Sequence, residues 1–287
     1  MSHSNTAANK IKPFSAKIFV INIVFSVSVY LAVLSNLAPK VWQVQLQSSW
    51  ELLFWTFVAW HLFNTFLEHL FHRYVLHSPA IPGMSYFYKS HTRHHALTHI
   101  VYKKITGVHN AYPIIEEKQH SDSFFPWYSY TVFALVLTGP MALVQWLLPE
   151  APIFLGGVLA LAWTISLYEI LHSIEHKHPK KWIKKLEHRN PLIRKFWRKA
   201  YAFHLRHHAD IKCNEGISGF FGIPIADFVF GTWTDPNTLY THGTHVSKKE
   251  FISPTPVFFI RWLDRWAEKR KQKIREKRKQ KTRENND

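Results

Sequence analysis

Ten of the 20 histidines in this chain fall into four short clusters. The first two clusters are His72/His77 and His91/His94/His95, and the second two are His172/His176 and His204/His207/His208. Each pair is an H-x3–4-H followed by an H-x-x-H-H. Neutral imidazole is the commonest metal-ligand side chain. Residues at i, i+3 and i+4 share one helix face, so each H-x-x-H-H box aims three rings the same way, and His172 and His176 at i, i+4 also share a face. His72 and His77 at i, i+5 lie about 140° apart on an ideal helix. They need a helix end or a local bulge to reach one centre, or else they serve two metals. Pro79, Pro82 and Gly83 follow closely and place a helix end here. Ten ligands divide into two metal ions with about five each, which leaves a position open on each ion, as catalysis requires. An all-imidazole set suits iron, zinc, copper or nickel and argues against magnesium or calcium. Cys213 is the single cysteine, so neither a C-x-x-C site nor a disulfide framework is present.

Other histidines lie outside the pattern: His69, His99, His109, His120, His178, His188, His242 and His245. They are read as ordinary or supporting residues, with His99 the nearest to a box because it stands four after His95. Glu68 precedes the first pair and Glu169 the third. An acid at the end of an apolar run is a functional candidate, and both are positioned to hydrogen-bond ligand imidazoles and fix their tautomers.

Four apolar stretches must position these clusters: Ile18 to Leu37, Trp50 to Leu70, Phe125 to Leu148 and Ala151 to Leu171. A membrane-spanning helix needs about 20 predominantly apolar residues, and each stretch meets that length. Aromatic residues make up 16% of the 287 residues and the net charge is +17. The basic residues sit outside the apolar runs, which is the distribution of a membrane protein rather than of a nucleic-acid binder. Lys10, Lys12 and Lys17 precede the first span. The connector from His72 to Ser123 carries Arg73, Lys89, Arg93, Lys103, Lys104 and Lys118, while the Pro149-Glu150 turn carries no positive charge. The positive-inside rule then places both termini and all four histidine clusters on the cytoplasmic side, at the ends of the second and fourth spans. No short apolar core with a small-residue cleavage site opens the chain, so no cleaved signal peptide is expected. The expected class is all-α: a polytopic membrane protein of about four spans with a helical, cytoplasmic metal domain. That membrane is the inner one in a bacterium and the endoplasmic reticulum in a eukaryote.

HRYVLH (His72 to His77), HTRHH (His91 to His95), HSIEH (His172 to His176) and HLRHH (His204 to His208) resemble, in order and spacing, the histidine boxes of the membrane fatty acid hydroxylase and sterol desaturase superfamily. The segment NEGISGFFGIPIADFVFGTW, Asn214 to Trp233, is similar to the stretch that follows the last box there, through Asn214, Asp227 and Phe230-Gly231-Thr232. The likeness covers about residues 50 to 235, with 1 to 49 an N-terminal segment and first span, and 236 to 287 a polar to basic tail. The H-x4-H opening with an H-x3-H third box is nearest the fatty acid hydroxylase branch. The resemblance implies two iron ions, with zinc able to replace them in recombinant material, held by the ten box histidines. It implies O2 as co-substrate, a lipid chain in the bilayer as substrate, and Asn214 and Asp227 beside Glu68 and Glu169 as residues supporting the ligands. The chain has no G-x-G-x-x-G and no C-x-x-C, and no cytochrome b5 domain. Electrons would come from a separate cytochrome b5- or ferredoxin-type protein with its reductase.

The aromatics Trp55, Trp60, Phe63, Phe66, Tyr86, Phe87 and Tyr88 are candidates to line a lipid groove. Phe251 to Trp266 is expected at the membrane surface. The Lys/Arg run from Lys269 to Arg283 reads as a solvated, partly disordered tail, with attraction to anionic lipid as its functional alternative. A sterol or carotenoid hydroxylase or desaturase stays open. A zinc hydrolase is less well matched, since H-E-x-x-H is absent, and a transporter would place ligands at mid-membrane.

Overall fold

The computed structural model describes residues 15–116, 119 and 122–284. Lys10, Lys12, Lys118 and His120 lie outside the described residues. Helix α1 (Ala16–Leu37) starts at Ser15, whose Oγ accepts the N–H of Ile18, and α2 (Pro39–Gln47) starts at Pro39. Proline fits that first position because the N–H it lacks would have no helical partner there. Helix α3 (Trp50–Phe71) is capped by Ser49, whose Oγ accepts the N–H of Leu52 at 3.2 Å. A π-helical turn, His72–Leu76, follows it, and α4 (Ser85–Leu97) carries the second cluster. Next comes an antiparallel hairpin, β1 (Ile100–Lys103) and β2 (Gly107–Asn110), with Ile100 opposite Asn110. Helices α5 (Ser129–Leu147) and α6 (Ile153–Glu175) form an up-and-down pair. The remaining helices are α7 (Pro179–Leu186), α8 (Pro191–Ala209), α9 (Ile225–Phe230) and α10 (Phe258–Glu284). The protein is mostly helical, and the hairpin is a departure from the expected all-α class.

Among the described residues, three helices are long and apolar enough to cross a membrane: Lys17–Leu37, Ser129–Leu147 and Ile153–Glu175. The expected fourth span, Trp50 to Leu70, is a helix of sufficient length. Its inner face carries buried Thr56, His61, Asn64, Thr65 and His69, and these polar side chains make it too polar to count by composition. They are turned to protein: His61 Nδ1 meets Thr164 Oγ1 at 3.0 Å on α6, and His69 Nε2 meets Thr232 Oγ1 at 2.8 Å. On α1 one side packs Ile23, Val27 and Leu31 on the core. Val24, Phe25 and Val33 on the other side remain exposed, an apolar surface suited to lipid rather than water. At the far end of the bundle Gln45 donates to Gln145 Oε1 at 3.0 Å and accepts from the N–H of Leu155 at 3.1 Å, tying α2 to α5 and α6.

The most extensive helix packing is between α3 and α6. A Cβ on Gly156 would lie 2.6 Å from Thr56 Cγ2 and 3.1 Å from the backbone N of Phe57. Small residues permit such approach between helices in lipid. The tail helix α10 is continuous to Glu284, which corrects the expectation of a partly disordered run from Lys269. Its first turns dock: Ile260 is buried, Tyr74 donates to the carbonyl of Ile260 at 3.2 Å, and Asp264 pairs with Arg73. Gly156→Leu is expected to force α3 off α6 and abolish a monodisperse detergent-solubilised protein, read by size-exclusion chromatography. A Gly156→Leu protein that elutes and melts as the parent would show that this contact is not needed.

Candidate metal centre

The π-turn solves the i, i+5 spacing of the first box. The N–H of His77 donates to the carbonyl of His72 at 3.1 Å, one residue further than in an α-helix. The extra residue brings the two rings into a stack, 5.0 Å between centroids and 17° apart. Single π-turns of this kind are frequently found at functional sites. Helix α4 adds His91, His94 and His95, the end of α6 adds His172 and His176, and α8 adds His204, His207 and His208.

The ten rings sort into two groups of five, and within each the nitrogen atoms lie within 4.8 Å of one another. The first holds His72, His77, His91, His95 and His207; the second holds His94, His172, His176, His204 and His208. Each H-x-x-H-H box is thus shared: His91 and His95 go to the first group and His94 to the second, while His207 crosses to the first and leaves His204 and His208 in the second. The second group is buried throughout, and the first is partly open at His77 and His95.

Ring orientation is fixed from behind. His72 Nδ1 donates to the carbonyl of Glu215 at 2.6 Å and His207 Nδ1 to that of Cys213 at 2.7 Å. His176 Nδ1 donates to the carbonyl of Tyr112 at 2.8 Å and His208 Nδ1 to that of Thr98 at 3.0 Å. A carbonyl only accepts, so each Nδ1 carries the proton and each Nε2 presents a lone pair inward. His94 follows by relay. Ser123 Oγ donates to the carbonyl of Gln119, so it accepts from His94 Nδ1 at 3.0 Å. His94 Nε2 and His172 Nε2 are buried without a hydrogen-bond partner among the described residues.

These observations fit a metal. Nε2 atoms approach one another at 2.9 Å (His72–His91), 3.1 Å (His91–His95) and 3.0 Å (His77–His207) in the first group. In the second they approach at 3.1 Å (His176–His204) and 3.0 Å (His204–His208). Two nitrogens each about 2.1 Å from one ion and at right angles would be about 3.0 Å apart. Lone pairs converging at that spacing repel unless a cation lies between them. The rings are also electrically suited to the task. Burial pushes His176 and His207 down to about 3, and it pushes His72, His77, His91, His94, His95, His204 and His208 well below 6.5, with neighbouring imidazoles and, at His77, Arg73 adding to the fall. Neutral rings are what a divalent cation binds.

The acids do not act as expected. Glu68 accepts from the backbone N–H groups of Ser218 (2.7 Å) and Gly219 (3.2 Å) and from the Ser218 hydroxyl. Glu169 accepts from the N–H of Phe125 at 2.8 Å. Neither reaches an imidazole of the two groups, because both project toward loops that cross the helix ends. Asp227 supports the site one step back: it accepts from the N–H of Glu215 and of Gly216, both at 2.9 Å, and so holds the carbonyl that orients His72. Asn214 braces the same loop, donating to the carbonyls of Phe203 and Thr234 and accepting from the N–H of Thr234, each at 2.9 Å. His69 joins this support through Thr232, whereas His99 is exposed and its ring bonds to the carbonyl of Ala96 rather than to the two groups. Sequence reasoning missed Tyr112, Thr98, Ser123 and Glu215 as supports. Backbone carbonyl acceptors leave no residue-type signal; the acid at 215, directly after Asn214, was the one available hint. Arg73 was read only as a connector charge. Its buried guanidinium donates to Glu215 Oε1 at 3.0 Å and to both oxygens of Asp264 at 2.8 Å.

A cavity of about 480 Å³ reaches the first group, a size ordinary for a small-molecule site, roughly 300–1,000 Å³. It lies between α3, α5, α6 and the start of α10, with Phe71, Phe125, Phe133 and Ile165 among its walls and His72 and Glu68 in its lining. None of Trp55, Trp60, Phe63, Phe66, Tyr86, Phe87 and Tyr88 lines it. Trp55, Phe63 and Tyr86 are exposed, and Trp60 and Phe87 pack in the core. No family profile, no curated protein and no solved structure matches the chain.

Two outcomes follow from the geometry. His94→Ala should lose the second group's metal and keep the first group's, read by elemental analysis of protein of unchanged elution volume; retention of both would remove His94 from the ligand set. The depressed histidines also set the sign of a pH effect. The unfolded chain takes up protons below about 6.5 while the folded rings stay neutral until about 3, so acid favours unfolding. The melting temperature should therefore fall as pH drops from about 7 toward about 5. A melting temperature that is flat or rising over that window would contradict burial of the neutral rings.

Proposed function

We propose that the chain is a membrane-embedded di-iron oxygenase that hydroxylates a C–H bond of a fatty-acyl or related lipid, with O2 as co-substrate and electrons from a separate donor protein. The observation that carries this reading is a near-wholly apolar cavity whose lining includes both His72 of the first histidine group and exposed Val136 and Trp266. A soluble substrate would need polar anchors along such walls, whereas an acyl chain needs none. In this reading α3 is a fourth membrane element beside the three apolar helices, and both histidine groups face the cytoplasm, at the ends of α3 and α6.

The ten box histidines would hold the two ions, and the chemistry that iron supplies when bound is activation of O2 toward an unactivated C–H bond. The protein's own contribution is positional. Phe71, Phe125, Phe133 and Ile165 hold a chain and exclude water beside His72. Tyr168 lines the same cavity and stacks on His172 of the second group, 5.6 Å between centroids. The amide of Asn64 is buried, lines the cavity and has no partner among the described residues, so it is available to a substrate hydroxyl or carbonyl. Trp266 and Leu263 bring the tail helix into the wall.

Iron-loaded protein, O2 and dithionite should convert a fatty-acyl lipid to a product heavier by one oxygen atom, detected by mass spectrometry. Trp266→Ala, which widens the cavity, should shift the products toward bulkier lipids. A wild-type protein that oxidises no fatty-acyl, sterol or carotenoid substrate under these conditions would overturn the reading.

A further inference from the structure

The second histidine group is buried, yet a file of aromatic rings leads from it to the surface. Tyr112 lies 4.3 Å from His176 between centroids, Tyr201 lies 6.2 Å from Tyr112, Trp182 lies 5.2 Å from Tyr201, and Trp197 lies 5.9 Å from Trp182. No step exceeds 6.2 Å. Tyr112, Tyr201 and Trp182 are buried, and half-buried Trp197 is capped by Lys185, whose Nζ lies 3.9 Å from the ring centre.

Where the file emerges, the surface is strongly basic. Helix α7 exposes Lys180, Lys181, Lys184 and Lys185. The facing half of α8 carries Arg194, Lys195, Arg198 and Lys199 around a cleft of about 350 Å³ in which Asp235, paired with Lys199, is the one acid. The two helices are locked together by Arg198, which donates to the carbonyl of Leu186 at 3.1 Å. Exposed Leu192, Ile193 and Phe196 lie among these charges. An apolar centre within a charged rim is the anatomy of a transient protein interface.

We propose that the basic face of α7 and the first half of α8 docks an acidic one-electron carrier protein, and that Trp197, Trp182, Tyr201 and Tyr112 bridge the electron's path to the second histidine group. This rests on the oxygenase reading, in which R–H + O2 + 2 electrons + 2 protons gives R–OH + H2O, so two carrier molecules are each oxidised by one electron per turnover. Complementary charge steers such encounters and raises their rate. An anionic lipid surface would be drawn to the lysines too, but it gives no account of the aromatic file behind them.

The test uses the full-length, iron-loaded protein in phosphatidylcholine nanodiscs, with a soluble cytochrome b5 and a [2Fe–2S] ferredoxin as probes. Binding of one of these carriers should weaken about tenfold or more in Lys181→Glu/Lys184→Glu/Lys195→Glu, and also in wild type at high salt. Trp182→Leu should bind that carrier as wild type does while the bound carrier reduces the protein more slowly in stopped flow, and Trp182→Phe should restore the rate. If the triple variant binds carrier normally but loses affinity for phosphatidylglycerol vesicles, the face is a lipid contact and the docking proposal falls. If Trp182→Leu is reduced at the wild-type rate, the aromatic path falls. The oxygenase reading is judged separately, by dithionite-driven product from wild type, which needs no carrier.

Discussion

The site depends on one constraint: the Nδ1 protons of four of its histidines are held by backbone carbonyls. At His72, His207, His176 and His208 the acceptor is a main-chain oxygen, on Glu215, Cys213, Tyr112 and Thr98 respectively. Those oxygens lie outside the long helices, and this accounts for the order of two otherwise irregular segments. The hairpin positions Tyr112, and Gly107 permits its turn: at φ 73° it meets the carbonyl of Thr244, where a Cβ would lie 2.6 Å away. The loop after α8 positions Cys213 and Glu215. Asn214 sits there with φ 54°, a conformation asparagine tolerates better than most residues, and its side chain is fully employed in bracing the turn. Fixing the tautomer also raises ligand basicity, which carboxylate supports would do at the cost of burying more charge.

The membrane half of the molecule answers to the same loop. Glu68, near the end of α3, takes the two N–H groups of Ser218 and Gly219, and His69 takes Thr232. The polar stripe on α3 is therefore the interface between an apolar bundle and the metal-supporting loop. Its burial against α6 relies on the close approach at Gly156. An all-apolar α3 would sit as well in lipid but would have nothing to hold residues 215 to 232.

The ten histidines, their division into about five and five, and a bulge at His72 as one of the ways to reach a common centre were legible in sequence, because ligand chemistry requires a specific residue type at fixed spacing. Which histidine goes to which group was not, since the boxes exchange members: His94 and His207 each leave their box neighbours for the opposite group. That exchange depends on how α4 and α8 cross, which no local spacing encodes. The supports were illegible for a related reason, as a backbone carbonyl acceptor has no residue identity. Three apolar helices read correctly by composition. Trp50 to Leu70 was read as a span on its length, but the buried Thr56, His61 and Asn64 keep it from counting by composition beside the other three. The groove aromatics do not line the cavity either: proximity in sequence to a box says nothing of which face of α3 or α4 a ring occupies.

Arg73 shows why the tail belongs to the site. A guanidinium buried beside the first histidine group would repel any cation held there, and Arg73 is among the groups that push His77 down. Glu215 and Asp264 offset it from either side, Asp264 through a bidentate pair at 2.8 Å on both oxygens. Burial pushes the Asp264 carboxyl up, but the hydrogen bonds and charge of Arg73 outweigh this and hold it below the usual range. An uncompensated buried cation is strongly destabilising, roughly 3–5 kcal/mol when one partner of such a pair is removed. The first two turns of α10 therefore supply part of the charge balance of the metal centre as well as part of the cavity wall. The basic half of the helix beyond Lys269 is mostly exposed, with Lys271 and Ile274 half-buried, and makes no such contribution. Docking and charge thus divide one continuous helix into a structural beginning and a free basic end.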